Sequence, residues 1–127
     1  MYYSLISIAL GSMFGAWTRW FVGLKLNSIY PDIPLGTVVV NLVGGFIIGF
    51  AISFFAHSSL SPNYKLFVVT GFCGALTTFS TFSAEIISLL QNGKFSLACL
   101  AISLHLIGSL LCTFLGMAAH HYLTAQA

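Results

Sequence analysis

Gly71-Phe-Cys-Gly-Ala-Leu-Thr-Thr-Phe-Ser-Thr-Phe-Ser-Ala-Glu85 lies in the third of four apolar runs and differs in kind from the other three. Two glycines followed by five Ser/Thr residues between positions 77 and 83 make a poor uninterrupted helix facing lipid. The composition fits a broken helix whose freed backbone groups bind an ion or are satisfied by hydroxyls. A half-helix starting near Thr78 turns unpaired N–H groups and a positive dipole end toward the membrane midplane, which suits an anion. Carbonyls exposed by the break suit a cation. The alternative is a continuous helix with each hydroxyl bonded back to its own preceding turn.

Working outward, the 127-residue chain carries six charges: Arg19, Lys25, Asp32, Lys65, Glu85 and Lys94. A soluble domain is about a quarter charged; this chain is 5% charged and 58% hydrophobic. No normal water-facing surface can be built from that inventory, so a soluble enzyme is excluded. Residues 1–18, 33–64, 66–84 and 95–127 carry no charge at all, and runs of this length and composition read as membrane helices. The expectation is an all-α integral membrane protein, one four-span domain over 1–127, with spans near 4–24, 34–56, 64–90 and 95–122. Pro34 is expected in the first turn of the second span, where its missing N–H does no harm. The N-terminus lacks the basic region of a cleavable signal. A net charge of +2 gives no reason to expect nucleic acid as a partner. Cys73, Cys99 and Cys112 lie within apolar runs without metal spacing and read as small packing residues.

Lys25 and Lys94 fall at one membrane side, with Arg19 approaching it, and Lys65 falls at the other. So small a Lys/Arg bias orients the chain weakly, which permits insertion both ways up and an antiparallel homodimer. One buried charge deciding the orientation is an equal reading. Gly11/Gly15, Gly45/Gly49 and Gly108/Cys112/Gly116 form small-residue stripes of the kind that lets helix backbones approach in lipid.

The candidates for chemistry are polar residues inside the spans. Glu85 is the one acid expected within a span and Arg19 the one base nearly so placed, and intramembrane ionisable groups are functional candidates by default. Arg19 reads equally as a snorkelling or structural residue. Thr78, Thr81 and Glu85 make one polar stripe, His105, Ser109 and Thr113 a second, and Thr37 with Asn41 a third. Three such tracks suggest a hydrated path; interhelical hydrogen bonding is the alternative. Phe79 and Phe82 share a helix face, where their positive ring edges could meet an anion or simply pack on a neighbour. His120 and His121, being adjacent, chelate poorly, and His57 falls in a loop; none is assigned a function. No nucleophile–base arrangement, phosphate loop or metalloprotease motif is present, so catalysis is not expected.

The third-span motif, together with Pro34-Leu-Gly-Thr-Val-Val-Val-Asn41 and Gly15-Ala-Trp-Thr-Arg19, resembles the Fluc family of fluoride channels (CrcB-like proteins) over essentially the whole chain. The resemblance implies an antiparallel, dual-topology homodimer of four-span subunits in the bacterial plasma (inner) membrane, with the third helix broken mid-membrane and two parallel pores exporting fluoride passively. It implies that Phe79 and Phe82 line the pore with their ring edges, with Asn41 and Ser109 as pore polar groups. By the same resemblance Thr37, Ser80, Thr81, Ser83, Glu85, His105 and Thr113 form a polar track. Backbone carbonyls of Gly74 and Thr77 from each subunit would hold a structural sodium ion at the dimer interface, and Arg19 would be a structural or vestibule charge. Ala75, where many members have glycine, and His105, where some have tyrosine, depart from the pattern.

Two other functions compete. A small dual-topology proton-coupled multidrug antiporter needs a carboxylate that binds cations and protons in turn; only Glu85 is available, and the first span holds Arg19 instead. A non-conducting structural subunit explains the packing glycines but not three polar tracks.

Overall fold

The computed structural model describes residues 1–126. Its elements are α1 (Tyr2–Leu26), α2 (Leu35–Ala56), the short α3 (Pro62–Lys65), a π-helical segment (Leu66–Cys73), α4 (Gly74–Leu76), α5 (Phe79–Gln91) and α6 (Phe95–Ala125). With Pro62–Gln91 taken as one path, four helical segments are long and apolar enough to cross a membrane. The described residues contain no strand.

Local sequence explains where the elements begin and end. Ser61 caps α3, its hydroxyl accepting from the Asn63 N–H, with Pro62 just inside the helix, where a missing donor costs nothing. Pro34 occupies the N-cap of α2 rather than its first turn and offers no side-chain cap. That vacancy is filled from outside: Asn27 Oδ1, ten residues upstream, accepts from the Thr37 N–H at 3.3 Å. Gly93, at φ +71°, makes the left-handed turn between α5 and α6 that other residues adopt reluctantly. Between α4 and α5 the backbone is extended at Thr77 (φ −78°, ψ 155°) and Thr78 (φ −150°, ψ 117°). Thr78 then serves as N-cap of α5, its hydroxyl accepting from the Thr81 N–H at 3.2 Å.

In lipid there is little hydrophobic force between helices, so close backbone approach must hold them together. The small-residue stripes mark those approaches. A Cβ at Gly49 would strike the Thr113 carbonyl, and one at Gly116 the Phe46 carbonyl, so α2 and α6 pack backbone to backbone. Gly11 and Gly15 bring α1 equally close to Phe67 and Phe72 of the π-helical segment. The methyl of Ala75 fills the space beside Gly15, 3.1 Å from where a Cβ there would lie. Ile33, Val38, Ile86, Leu89, Ala98 and Ala101 form a buried cluster at the end of the bundle that carries the α1–α2 and α5–α6 turns. The Asp32–Lys94 ion pair ties those two turns together. At the opposite end Ser4 Oγ donates to Asn63 Oδ1 at 3.1 Å.

Candidate functional site

The extended pair Thr77–Thr78 takes the Thr77 carbonyl and the Thr78 N–H out of the helical ladder, while the Thr77 N–H still donates to the Cys73 carbonyl at 3.0 Å. Released buried groups must find other partners. Asn41 on α2 supplies them for Thr78. Its Oδ1 accepts from the Thr78 N–H at 2.7 Å and its Nδ2 donates to the Thr78 carbonyl at 3.1 Å. Nδ2 also lies 3.0 Å from His105 Nδ1 on α6. Because Oδ1 is committed to an N–H, the amide orientation is set and Nδ2 is the donor toward His105. The imidazole therefore carries its lone pair at Nδ1 and its hydrogen at Nε2. A buried histidine, 6% exposed, is thus left with one N–H donor to offer.

Phe82 lies against this histidine, ring centroids 4.6 Å apart, and Phe79 lies 5.5 Å from Phe82 with planes tilted by 54°. Together with Asn41, Thr78 and Ser109 they border a cavity of about 860 Å³ that also reaches Gly74, Thr77, Ser83 and Thr113. Phe79 is 78% exposed, a large ring left without cover on the open side of that cavity. Its chemistry is mixed: an amide, a histidine N–H and hydroxyls at one wall, phenyl rings at another, and no carboxylate among its lining residues. Such a space can surround a small anion with weak donors and positive ring edges.

Ser83 and Thr113 of the expected track, and Thr77 beside it, have hydroxyls that are engaged locally. Ser83 Oγ donates to the Phe79 carbonyl at 2.8 Å, Thr113 Oγ1 to the Ser109 carbonyl at 2.9 Å and Thr77 Oγ1 to the Cys73 carbonyl at 2.8 Å. Each must give up that bond before it can donate to a bound anion. Thr78 Oγ1 donates to Thr81 Oγ1 at 2.9 Å, and Ser80 Oγ lies 3.4 Å away on the exposed side.

The remaining candidates sit apart from this cavity. Thr37 Oγ1 donates to Glu85 Oε1 at 2.6 Å, joining α2 to α5. Glu85 and Thr81 border a separate hollow of about 360 Å³ beneath the turns, with Asp32 and Lys94. Arg19 and Thr37 border a third, of about 350 Å³, which Thr78 and Thr81 also line. Arg19 Nη1 donates to the Thr77 carbonyl at 3.3 Å.

Among the described residues no group of three or more His, Cys, Asp or Glu side chains is arranged to hold a metal. A carbonyl site is a different matter. The Thr78 N–H, which a continuous helix would direct to the Gly74 carbonyl, is taken by Asn41, so that carbonyl is released. Gly74 is also exposed on the surface of the chain. The Thr77 carbonyl points at the Arg19 guanidinium, yet a carbonyl oxygen has a second lone pair to share.

Sequence reasoning passed over Asn27, Asp32 and Lys94 as site-forming residues. The uncapped Pro34 was the available signal for Asn27. The Asp32–Lys94 pairing, between residues 62 apart, left no local trace. His57, assigned to a loop, stacks against His120 at 6.5 Å between ring centroids.

Residues 6–117 match the family described as CrcB-like protein, Camphor Resistance (CrcB). A protein of Acinetobacter baumannii named fluoride-specific ion channel FluC is 75% identical over 126 residues, covering 99% of this chain and 100% of its own. One of the same name from Acinetobacter baylyi is 65% identical over 124 residues, 98% of each chain. Another from Pseudomonas putida is 53% identical over 124 residues, 97% of this chain and 98% of its own.

Proposed function

The chain belongs to the CrcB-like family, and from that premise we propose that it is a fluoride-selective ion channel, passively exporting fluoride and so lowering its concentration in the cytoplasm. It is a multi-pass protein of the bacterial inner membrane. The observation that carries the reading is full-length identity of 65–75% to relatives named for fluoride conduction. Those names favour it over the antiporter.

The cavity supports the same chemistry. Fluoride is small and strongly hydrated, so a pore must replace its water with donors that hold it weakly enough to let it go. The His105 N–H and the Ser109 hydroxyl are such donors, and Ser83 and Thr113 join them when their hydroxyls turn from the carbonyls they now bond. Asn41 holds His105 and Thr78 in place around the path, and the edges of Phe79 and Phe82 add positive potential without a full charge. Thr37, Ser80, Thr81 and Glu85 continue the polar track toward the mouth. The extended Thr77–Thr78 pair is the break of the third span, placed at mid-membrane.

The functional unit is an antiparallel homodimer. The uncovered Phe79 and the open flank of the cavity support that reading, since a channel wall is missing from one subunit. The released Gly74 carbonyl and the Thr77 carbonyl suit a hard cation, and two of each at a dimer centre would hold a structural sodium ion. The ion would supply a fixed positive charge joining the two broken spans. Arg19, bonded to the Thr77 carbonyl, braces the same backbone.

The test is fluoride efflux from liposomes holding the purified protein, read with a fluoride electrode beside chloride-loaded vesicles. Rapid fluoride release without matching chloride release is expected. Silence from folded, dimeric protein in sodium buffer sinks the reading, and drug-driven proton flux would install the antiporter in its place.

A further inference from the structure

Helix N-termini favour acids or small polar residues and disfavour cations, because the macrodipole is positive there. The N-cap of α6, the longest helix, is Lys94, which makes no side-chain cap. A lysine at this position works against the helix it begins. Its ammonium is answered instead by Asp32 from the α1–α2 turn.

The placement of this pair gives the misfit a use. Asp32 and Lys94 border the same hollow as Glu85 and Thr81. Thr81 also lines the hollow that Arg19 and Thr78 border, and Thr78 lines the large cavity, so on the channel reading the three spaces follow one another from pore to mouth. Both acidic side chains of the sequence therefore face one small space, with Lys94 as the one cationic side chain lining it. For an anion approaching through that space, two carboxylates alone are a barrier. We propose that Lys94, steered and moderated by Asp32, is the anion-attracting charge of the pore mouth and sets the rate at which fluoride is supplied to the pore.

The inference rests on the channel reading. Both ends of an antiparallel dimer expose this turn region of one subunit, so the effect is the same for either direction of flow. The pair is about half exposed, with side-chain exposures of 44% for Lys94 and 37% for Asp32, so its influence is long-range and screened by salt.

The experiment measures fluoride efflux from proteoliposomes for wild type, Lys94→Met, Asp32→Asn and the double variant, each first shown to be dimeric by size exclusion. At ~10 mM ionic strength, where the screening length is about 30 Å, Lys94→Met is expected to slow efflux about threefold or more. Asp32→Asn, which frees the lysine, is expected to speed it. The double variant restores the wild-type net charge of the hollow and should return toward the wild-type rate. At about 1 M of an impermeant salt, with screening reduced to about 3 Å, the four rates should converge. Slowing of all three variants to the same extent at both salt levels would show a mere tether between turns and overturn the proposal, as would no change in any of them. A silent wild type is a separate result: it removes the channel reading itself. If Lys94→Met fails to assemble, the acceleration expected of Asp32→Asn still decides the matter.

Discussion

A single side chain, Asn41, satisfies both backbone groups of Thr78, accepting from its N–H at 2.7 Å and donating to its carbonyl at 3.1 Å. The clasp replaces the helical hydrogen bond that the Thr78 N–H gives up where the third apolar path becomes extended, and so stabilises that geometry. Asn41→Leu keeps the volume and leaves the buried Thr78 N–H without a partner, at about 1–3 kcal/mol. A loss of stability of that order is expected in denaturant unfolding of the detergent-solubilised protein. Asn41→Asp keeps the acceptor and loses the donor, and should fall between Asn41→Leu and wild type. Equal stability of all three would show that the clasp is incidental.

Phe82 touches both Phe79 and His105, so it is the ring most enclosed by the cavity walls. Phe82→Ile preserves apolar bulk but removes the positive ring edge. An edge interaction of about 1 kcal/mol, lost at the barrier, slows passage about fivefold. Fluoride efflux should drop by that factor while size exclusion still reports the dimer. Unchanged flux in an intact dimer would sink the role assigned to the ring.

Thr37 and Glu85 are joined by one hydrogen bond of 2.6 Å between α2 and α5. Thr37→Val keeps the shape and deletes the donor, at a cost of about 1 kcal/mol. It also frees the carboxylate to swing toward the mouth, where it repels an anion. Slower fluoride efflux is expected, with Thr37→Ser restoring the rate. Failure of serine to rescue would mean that the methyl group, not the hydroxyl, carries the effect.

Much of the fold was legible because membrane helices are written in composition. Long charge-free runs announce four apolar helices, and the Gly11/Gly15 and Gly45/Gly49 spacings announce backbone approaches that the structure realises at Phe67, Phe72 and Thr113. A helix start near Thr78 was readable because two glycines and a run of five Ser/Thr residues make a poor uninterrupted helix in lipid, and the structure has Thr78 as the N-cap of α5. Long-range pairings were less so. Asn41 could be seen as a polar residue in an apolar span, but not that it would grip Thr78 rather than face an open path. The Asp32–Lys94 and Asn27–Thr37 contacts depend on how turns fold back over helix ends, and periodicity carries no information about that.

The contrast between Gly49 and Gly74 separates packing within the chain from the proposed packing between two copies. A Cβ at Gly49 would collide with the Thr113 carbonyl, whereas one at Gly74 meets nothing nearer than the Val69 carbonyl at 3.8 Å. Gly49→Ala must push two backbones apart, and overpacking of this kind costs about 1–3 kcal/mol; the subunit itself should be destabilised. Gly74→Ala has room within the subunit and should leave its helical content and unfolding unaltered. If a second copy presses on the released Gly74 carbonyl, the added methyl instead obstructs that contact. Gly74→Ala should then weaken dimerisation, read by the monomer fraction in size exclusion, and raise the sodium concentration needed for full fluoride efflux. A Gly74→Ala protein that matches wild type in monomer fraction and in sodium dependence would overturn the proposed contact at Gly74.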